Sequence, residues 1–381
     1  MIRRQLEDRI HNALRRADKV LVLFGPRQVG KTTLLAKIRS DLDGTVRMLN
    51  GDFLDDHSLL KPERGALERL VEGAQYLFID EAQNFPDIGR CLKLLHDHHK
   101  GVRLLATGSS SFDLARRTGE PLTGRQRTLL LYPVAYSEQS PTVVDSRAIL
   151  ERCMLHGSYP EVLELTSTTD KEEHLRQLVT DALLKDIFAH VDVNRRKLHD
   201  ILRLLAHQIG SEVSLSEIAR TVQVDTKTVG RYCDLLEDAF VIVRLRGFSR
   251  NLRKEVGKSQ KIYFLDLGIR NAIIRAFHPL QNRDDVGALW ENLMVIERIK
   301  RNAYANRSAE YHFWRTYDRQ EIDLIEEAFV PNGNELLGFE FKWGRSRRRI
   351  PKLFTQTYPR ASVDVIDIDA AHDFLISAPR S

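Results

Sequence analysis

Gly25-Pro26-Arg27-Gln28-Val29-Gly30-Lys31-Thr32 has the spacing G-x-x-x-x-G-K-[ST], and Thr33 follows it. Such a loop turns successive backbone N–H groups inward as a nest for phosphate oxygens, at the positive end of the helix that follows. In that arrangement Lys31 reaches the β and γ oxygens and the Thr32 hydroxyl meets magnesium, so residues 25–33 are the expected ATP-binding loop. Phe78-Ile79-Asp80-Glu81 supplies the partner element. An aspartate ending a buried strand orients magnesium and its waters, and the adjacent Glu81 is placed to polarise an attacking water. Thr107-Gly108-Ser109 ends a later apolar run, and Ser109, ahead of Thr107, is the expected sensor of the γ-phosphate. Phosphoryl transfer also gains from an arginine that stabilises transition-state charge, in cis or from a neighbouring subunit. Arg125, after Gly124, is the leading candidate, with Arg116, Arg117 and Arg127 close by.

A second constellation lies near the C-terminus. In Glu335-Leu336-Leu337-Gly338-Phe339-Glu340-Phe341-Lys342-Trp343, a strand would turn Leu337, Phe339 and Phe341 to one side and Glu340 and Lys342 to the other. Asp323 in the apolar run Ile322–Ile325 and Glu291 on a preceding helix would complete the group. The arrangement resembles the PD-(D/E)xK nucleases, which implies magnesium held by Asp323 and Glu340, with Lys342 orienting or activating water. A Glu-x-Lys triplet alone carries little weight, because ordinary composition yields about one per chain of this length. His96-Asp97-His98-His99 suits no standard zinc ligand set and reads as a solvated helix end.

The elements that must position these residues follow from apolar patterning. Val20–Phe24, Val46–Asn50, Tyr76–Asp80, Val102–Ala106 and Arg127–Tyr132 read as strands alternating with helical segments, the pattern of a parallel α/β sheet. After Pro133 the texture becomes helical, with amphipathic segments at Ala148–His156 and Lys171–Phe188. Leu198–Ile209, Ser214–Thr221 and Thr226–Ala239 read as three more helices, followed by strands at Phe240–Leu245 and Lys261–Leu265. A helix over Gly287–Asn302 then precedes strand-like runs at Tyr311–Thr316, Glu321–Glu326 and Leu336–Trp343.

GPRQVGKTT, LFIDEAQ, LLATGSS, LTGRQ with LYPVAYSE, and HGSYPEV at His156–Val162 together resemble a large prokaryotic family of AAA-type ATPases. The likeness runs through nearly the whole chain; His156-Gly157 stands where two glycines are more usual. It implies a P-loop ATPase domain over 1–140, a helical lid or linker over 141–197, a winged helix over 198–270 and a small α/β restriction-endonuclease-like domain over 271–381.

Thr226, Lys227 and Arg231 are the exposed early positions of the helix that the winged-helix resemblance implies for recognition, polar and basic types that suit a major groove. The following loop carries Arg250, Arg253, Lys254, Lys258 and Lys261, suited to phosphate contacts. Such a helix also serves as a lid or subunit contact in ATPases, so the fold alone does not fix the role. Net charge is only +5, so attraction of a polyanion depends on clustering, and Arg195–Lys197 and Arg345–Lys352 cluster as well. The 381 residues contain no apolar run long enough for a bilayer and no signal-peptide pattern, and three widely spaced cysteines suggest neither disulfides nor a CxxC metal site. The expectation is a cytoplasmic homo-oligomeric ATPase using ATP and Mg2+, acting on DNA, including branched DNA, with a C-terminal nuclease site. The alternative is an ATP-controlled switch or scaffold whose C-terminal domain binds DNA or protein without cleavage.

Overall fold

Val20–Phe24 carries no polar side chain, and as strand β1 it is buried along its whole length. A strand apolar on both faces needs cover on both, which helices on either side of a parallel sheet provide. The computed structural model describes residues 2–16, 18–108, 122–183, 187, 193–249, 260–316, 320–330, 333–344 and 350–377. They divide into two compact units, 1–133 with 238–240, and 134–237 with 241–381.

The first unit holds β1, β2 (Val46–Asn50), β3 (Tyr76–Asp80), β4 (Arg103–Gly108) and β5 (Gln126–Leu130). Their order is β2-β3-β4-β1-β5 and every neighbouring pair is parallel. Helices α1 (Leu6–Arg16), α2 (Lys31–Ser40), α3 (Leu54–Leu59), α4 (Arg64–Val71) and α5 (Ile88–His98) accompany the sheet. Leu67 and Leu70 of α4 and Leu92 and Leu95 of α5 bury their stripes in one core with Val20, Val22, Leu77 and Ile79. Each such side chain removed from water contributes about 1.5–3 kcal/mol. The three strands that deliver the expected site, β1, β3 and β4, are adjacent and carry their C-terminal ends to one edge.

The second unit begins with helices α6 (Ser146–His156), α7 (Pro160–Glu164) and α8 (Thr168–Gln177), then α9 (Arg195–His207), α10 (Leu215–Val222) and α11 (Thr226–Asp238). Ser214 caps α10 by accepting from the Glu217 N–H at 3.3 Å, and Asp225 caps α11 by accepting from the Thr228 N–H at 2.8 Å. Strands β6 (Ile242–Gly247) and β7 (Gln260–Phe264) form an antiparallel hairpin. There follow α12 (Leu267–Ile274), α13 (Val286–Tyr304), β8 (Ala309–Arg315), β9 (Glu321–Val330), β10 (Gly333–Phe341), α14 (Lys352–Thr357), β11 (Ser362–Ile366) and α15 (Ala371–Ile376). The hairpin is not a separate wing. It extends a six-stranded sheet of order β11-β10-β9-β8-β6-β7, in which Arg246 and Gly247 of β6 pair in parallel with His312 and Phe313 of β8. The expected division at 270/271 therefore falls inside one sheet.

The HGSYP segment gains a physical reason here. Gly157 ends α6 at φ 71, and a Cβ there would lie 1.9 Å from Asp266 Oδ1. Without it, Asp266 accepts from the Ser158 N–H at 2.7 Å while capping α12 through the Ile269 N–H at 3.2 Å. Lys300 joins this buried group, donating to Glu297 Oε1 at 2.7 Å, and Glu297 Oε2 accepts from the Tyr136 N–H at 2.7 Å. Lys300 also donates to Ser158 Oγ at 3.3 Å, so the LYPVAYSE and HGSYPEV segments, both far from α13 in sequence, are tied to it by one polar network.

A second buried network sits farther along α13. Arg298 Nε donates to Glu326 Oε2 at 2.6 Å, and Arg307 Nε lies 3.1 Å from the other oxygen of Glu326, whose side chain is wholly buried. The Arg298 guanidinium also lies over the rings of Phe339 and Phe374, 4.8 and 4.9 Å from their centroids.

Cys91, Cys153 and Cys233 are buried and none is in a disulfide. Burial pushes their thiols up to about 12, 11 and 12 respectively. Because the thiolate is the nucleophile, the native protein is expected to resist Ellman's reagent at neutral pH and to yield all three thiols on unfolding in denaturant. Prompt labelling of any of them in the folded chain would contradict this burial. No described helix is long and apolar enough to cross a membrane.

Candidate active site in the first unit and a carboxylate cluster in the second

The chain leaves β1 through Gly25, where a Cβ would lie 2.3 Å from the Leu131 carbonyl oxygen, so only glycine lets the loop depart at that point. Gln28 and Gly30 take left-handed φ values of 59 and 94, and these turn the loop into the first residues of α2. Lys31 is 5% exposed, and its ammonium lies within the loop, donating to the carbonyls of Gly25 and Pro26 at 3.0 Å each. Sequence reasoning missed a support from outside the motif. The buried Arg4 guanidinium donates to Val29 O at 3.0 Å and Tyr132 O at 2.6 Å, pinning the loop to the strand end behind it. Gly25→Ala is expected to displace the loop and weaken ATP binding at least about tenfold, read by titration with a fluorescent ATP analogue. Unchanged affinity would mean that the crowding at Leu131 is relieved cheaply.

Asp80, 1% exposed at the end of β3, organises the opposite side. Its Oδ2 accepts from the Thr32 hydroxyl at 2.7 Å, and its Oδ1 accepts from the Thr107 hydroxyl at 2.5 Å and the Glu81 N–H at 3.1 Å. Thr107 completes the ring by accepting from the same N–H at 3.2 Å. Glu81 takes a left-handed φ of 45, and its carboxylate receives the side-chain amide of Gln83. Paired hard oxygens on Thr32 and Asp80, beside a loop built to surround phosphates, fit magnesium and a nucleoside triphosphate. Lys31, Thr32, Asp80 and Glu81 are therefore brought together. Thr107, the second choice for the sensor, joins them, whereas Ser109 lies outside the described residues, as do Arg116 and Arg117.

Arg125 is placed elsewhere. Its carbonyl accepts from the Val20 N–H at 2.8 Å, so it sits at the start of β1, whereas the phosphate loop follows the end of that strand. The five residues of β1 separate these edges, about 16 Å at 3.3 Å per residue. Its guanidinium donates to Asp97 Oδ1 at 2.8 Å, and Arg125 with His96 holds the Asp97 carboxyl down at about 2. Arg127 lies at the same edge, 3.5 Å from Asp18. Both lie at the sheet edge opposite the phosphate loop.

In the second unit, β9 and β10 run antiparallel with Leu324 opposite Phe339, a register that brings Asp323 level with Glu340. The Phe341 N–H donates to Asp323 Oδ2 at 2.8 Å, and Lys342 Nζ lies 2.9 Å from Glu340 Oε1. Glu291 comes in from α13, so the four expected residues converge. The structure adds a member that the sequence reading placed on the solvent side. Lys261 is 1% exposed, not a phosphate contact in a basic loop; its ammonium lies 2.8 Å from Glu291, in contact with Glu321, and 3.8 Å from Asp323. Tyr263 donates its hydroxyl to the same Glu291 oxygen at 2.7 Å. Burial opposes the charge on Lys261, but Glu291, Asp323 and Glu321 outweigh it and raise the ammonium's pKa. Burial and the neighbouring Glu291 push the Asp323 carboxyl well above the usual range despite the pull of Lys261. An ammonium already ion-paired with three carboxylates does not fit alongside a divalent ion among them.

Thr226, Lys227 and Arg231 are exposed along α11, and the Arg231 guanidinium lies 5.4 Å from the Tyr232 ring centroid. Arg250, Arg253, Lys254, Lys258 and residues 345–349 lie outside the described residues. A group not seen in the sequence, Glu310, His312 and Glu327, brings possible ligand atoms within 4.8 Å of one another on β8 and β9.

Comparison with known proteins follows the same layout. Residues 17–140 match the AAA domain family, 147–280 a domain of unknown function (DUF8612), and 286–369 another (DUF4143). Uncharacterized protein Rv2008c of Mycobacterium tuberculosis is 30% identical over 344 residues, covering 89% of this chain and 74% of that protein. The chain belongs to that family, as an AAA-type P-loop ATPase. An uncharacterized protein of Haemophilus influenzae is 24% identical over 336 residues, covering 81% of this chain and 79% of that protein. Among solved structures, the Walker-type ATPase PABY2304 of Pyrococcus abyssi matches with a TM-score of 0.52 at 16% identity, covering 72% of this chain and 96% of that one. That likeness concerns the fold. The family's AAA domain ends just beyond β5, and a single family model runs from α6 through the β6–β7 hairpin to the end of α12.

Proposed function

We propose that this ATPase hydrolyses ATP with Mg2+ and couples turnover to binding or remodelling DNA, as a cytoplasmic homo-oligomer. The observation that carries the hydrolytic reading is the closed set of hydrogen bonds linking Thr32, Asp80, Thr107 and the Glu81 N–H beside the phosphate loop. Magnesium, held by Thr32 and Asp80, would supply positive charge to the β- and γ-phosphates. The loop N–H groups and Lys31 bind and orient the phosphates. Thr107 fixes the Asp80 carboxylate, and Glu81, held by its own N–H and by Gln83, accepts the proton of the attacking water. In the oligomer a transition-state arginine would come from a neighbouring copy, with Arg125, which lies at the edge opposite its own phosphate loop, as the candidate.

The exposed Thr226, Lys227 and Arg231 on one helix support DNA contact through a winged-helix-like segment, with residues 253, 254 and 258 as its phosphate-contacting part. Buried, unpaired thiols suit a reducing cytoplasm. The experiment is ATP hydrolysis with and without single-stranded, duplex and four-way-junction DNA, with Lys31→Ala as the blank. Stimulation by one form supports the coupling and identifies the substrate; indifference to all three transfers the reading to an ATP-controlled switch or scaffold. A second reading, cleavage by the C-terminal cluster, is favoured by the convergence of Glu291, Asp323, Glu340 and Lys342 and opposed by Lys261 among them. Mg2+-dependent nicking lost in Asp323→Asn would support it.

A further inference from the structure

We infer that the Lys261 ammonium is the resident cation of the C-terminal carboxylate cluster, taking by its own charge the place that a divalent metal would need and leaving that cluster metal-independent. The inference rests on how the donors and acceptors are matched. Lysine has three N–H donors and no acceptor. Three carboxylates surround this one, Glu291 at 2.8 Å, Glu321 in contact and Asp323 at 3.8 Å, with the Phe313 ring 5.6 Å away on the apolar side. The carboxylates are occupied in turn. Glu291 Oε1 takes both Lys261 and the Tyr263 hydroxyl, Asp323 Oδ2 takes the Phe341 N–H, and Glu340 Oε1 takes Lys342. Arg315 adds further positive charge 3.8 Å from Glu321.

A nuclease-like centre would use the same oxygens as ligands for a hard divalent ion, which needs acceptors that are not already engaged by cations. Here the place is taken by a side chain from outside the strands that carry the carboxylates. Lys261 comes from β7, and its neighbours Gln260 and Ile262 are held in the hairpin by pairing with Arg246 and Arg244 of β6. The sheet thus fixes the Lys261 backbone, and burial with the three carboxylates holds its ammonium in place. Removing it leaves the buried Asp323 and the partly buried Glu291 and Glu321 facing one another without the Lys261 counter-charge, an arrangement that a small divalent ion would relieve.

The test uses the full chain without nucleotide, in an Asp80→Asn background that removes the carboxylate ligand beside the phosphate loop, and follows free Mn2+ by electron paramagnetic resonance. The parent is expected to show no Mn2+ site that depends on Asp323. Lys261→Met is expected to gain one site, at least about tenfold tighter than any in the parent, and Asp323→Asn added to it should remove that site. A Mn2+ site in the parent that Asp323→Asn abolishes would overturn the inference, as would a folded Lys261→Met protein, judged by circular dichroism, that gains none. If Lys261→Met does not fold, the comparison of the parent with Asp323→Asn still decides the matter.

Discussion

Glu81→Gln is expected to keep ATP bound and lose turnover, by about 10²–10⁴-fold, the range that a positioned general base contributes. The substitution is nearly isosteric, and it leaves the backbone bonds from the Glu81 N–H to Asp80 and Thr107 in place. It removes only the ability of the side chain to take a proton. Ala at Asp80 would act differently, by releasing Thr32 and Thr107 together and disordering the acceptor side of the site. Lys31→Ala would act on binding, since the ammonium is the charged donor nearest the loop carbonyls. The measurement is a pair of curves, nucleotide affinity and single-turnover hydrolysis, for each variant. If Glu81→Gln hydrolyses ATP within a few-fold of the parent, another group is the base and the proposed mechanism fails at that step.

Arg298→Ala is expected to be the most damaging single change to the second unit. Glu326 is completely buried, and its Oε2 depends on the Arg298 Nε at 2.6 Å. Breaking a buried pair from one side costs about 3–5 kcal/mol, because the remaining charge keeps its desolvation penalty without its partner. Loss of the guanidinium from above Phe339 and Phe374 removes packing as well. A chain of two compact units need not unfold in one step, so the loss is best read locally. Hydrogen exchange of peptides from α13 and β9 should accelerate by about a hundredfold or more. The control is the paired replacement Arg298→Met with Glu326→Met, which should recover much of the protection because apolar groups of similar size are tolerated where a broken ion pair is not. Unchanged exchange in Arg298→Ala would show that Arg307, 3.1 Å from the other Glu326 oxygen, suffices alone.

Strands β1, β2 and β3 were legible residue for residue, since each is an apolar or alternating run with a loop signal at its end. The loop and Asp80 were legible for the same reason, because local chemistry fixes them. Strand β11, Ser-Val-Asp-Val-Ile, was not read; it is a half-exposed edge strand with Asp364 in its middle and too little apolar pattern to stand out. Helix α12 was also missed. It is apolar on most sides and contains Arg270 and Asn271, both buried, so no periodic stripe marks it. The edge of the sheet on which Arg125 lies was not read from the sequence, which left open whether it acts within its own chain or on a neighbour. Residues that precede a parallel strand lie at the sheet edge opposite the residues that follow it, so a position just before β5 belongs away from the phosphate loop. Lys261 was misjudged through neighbourhood. A lysine next to RNLRKEVGKSQ looks solvated, and its real partners, Glu291, Glu321 and Asp323, come together only through the fold.

The parallel pairing of Arg246 and Gly247 with His312 and Phe313 sets an order of assembly on the growing chain. All five strands of the first sheet have been synthesised by Leu130, so the phosphate loop can be shaped, once they emerge, while much of the polypeptide is still unmade. The β6–β7 hairpin must instead wait for β8, and its exposed edge needs protection until then. A chain cut short between these elements would therefore retain an ATP-binding sheet attached to an unpaired hairpin, a species with a clear route to aggregation.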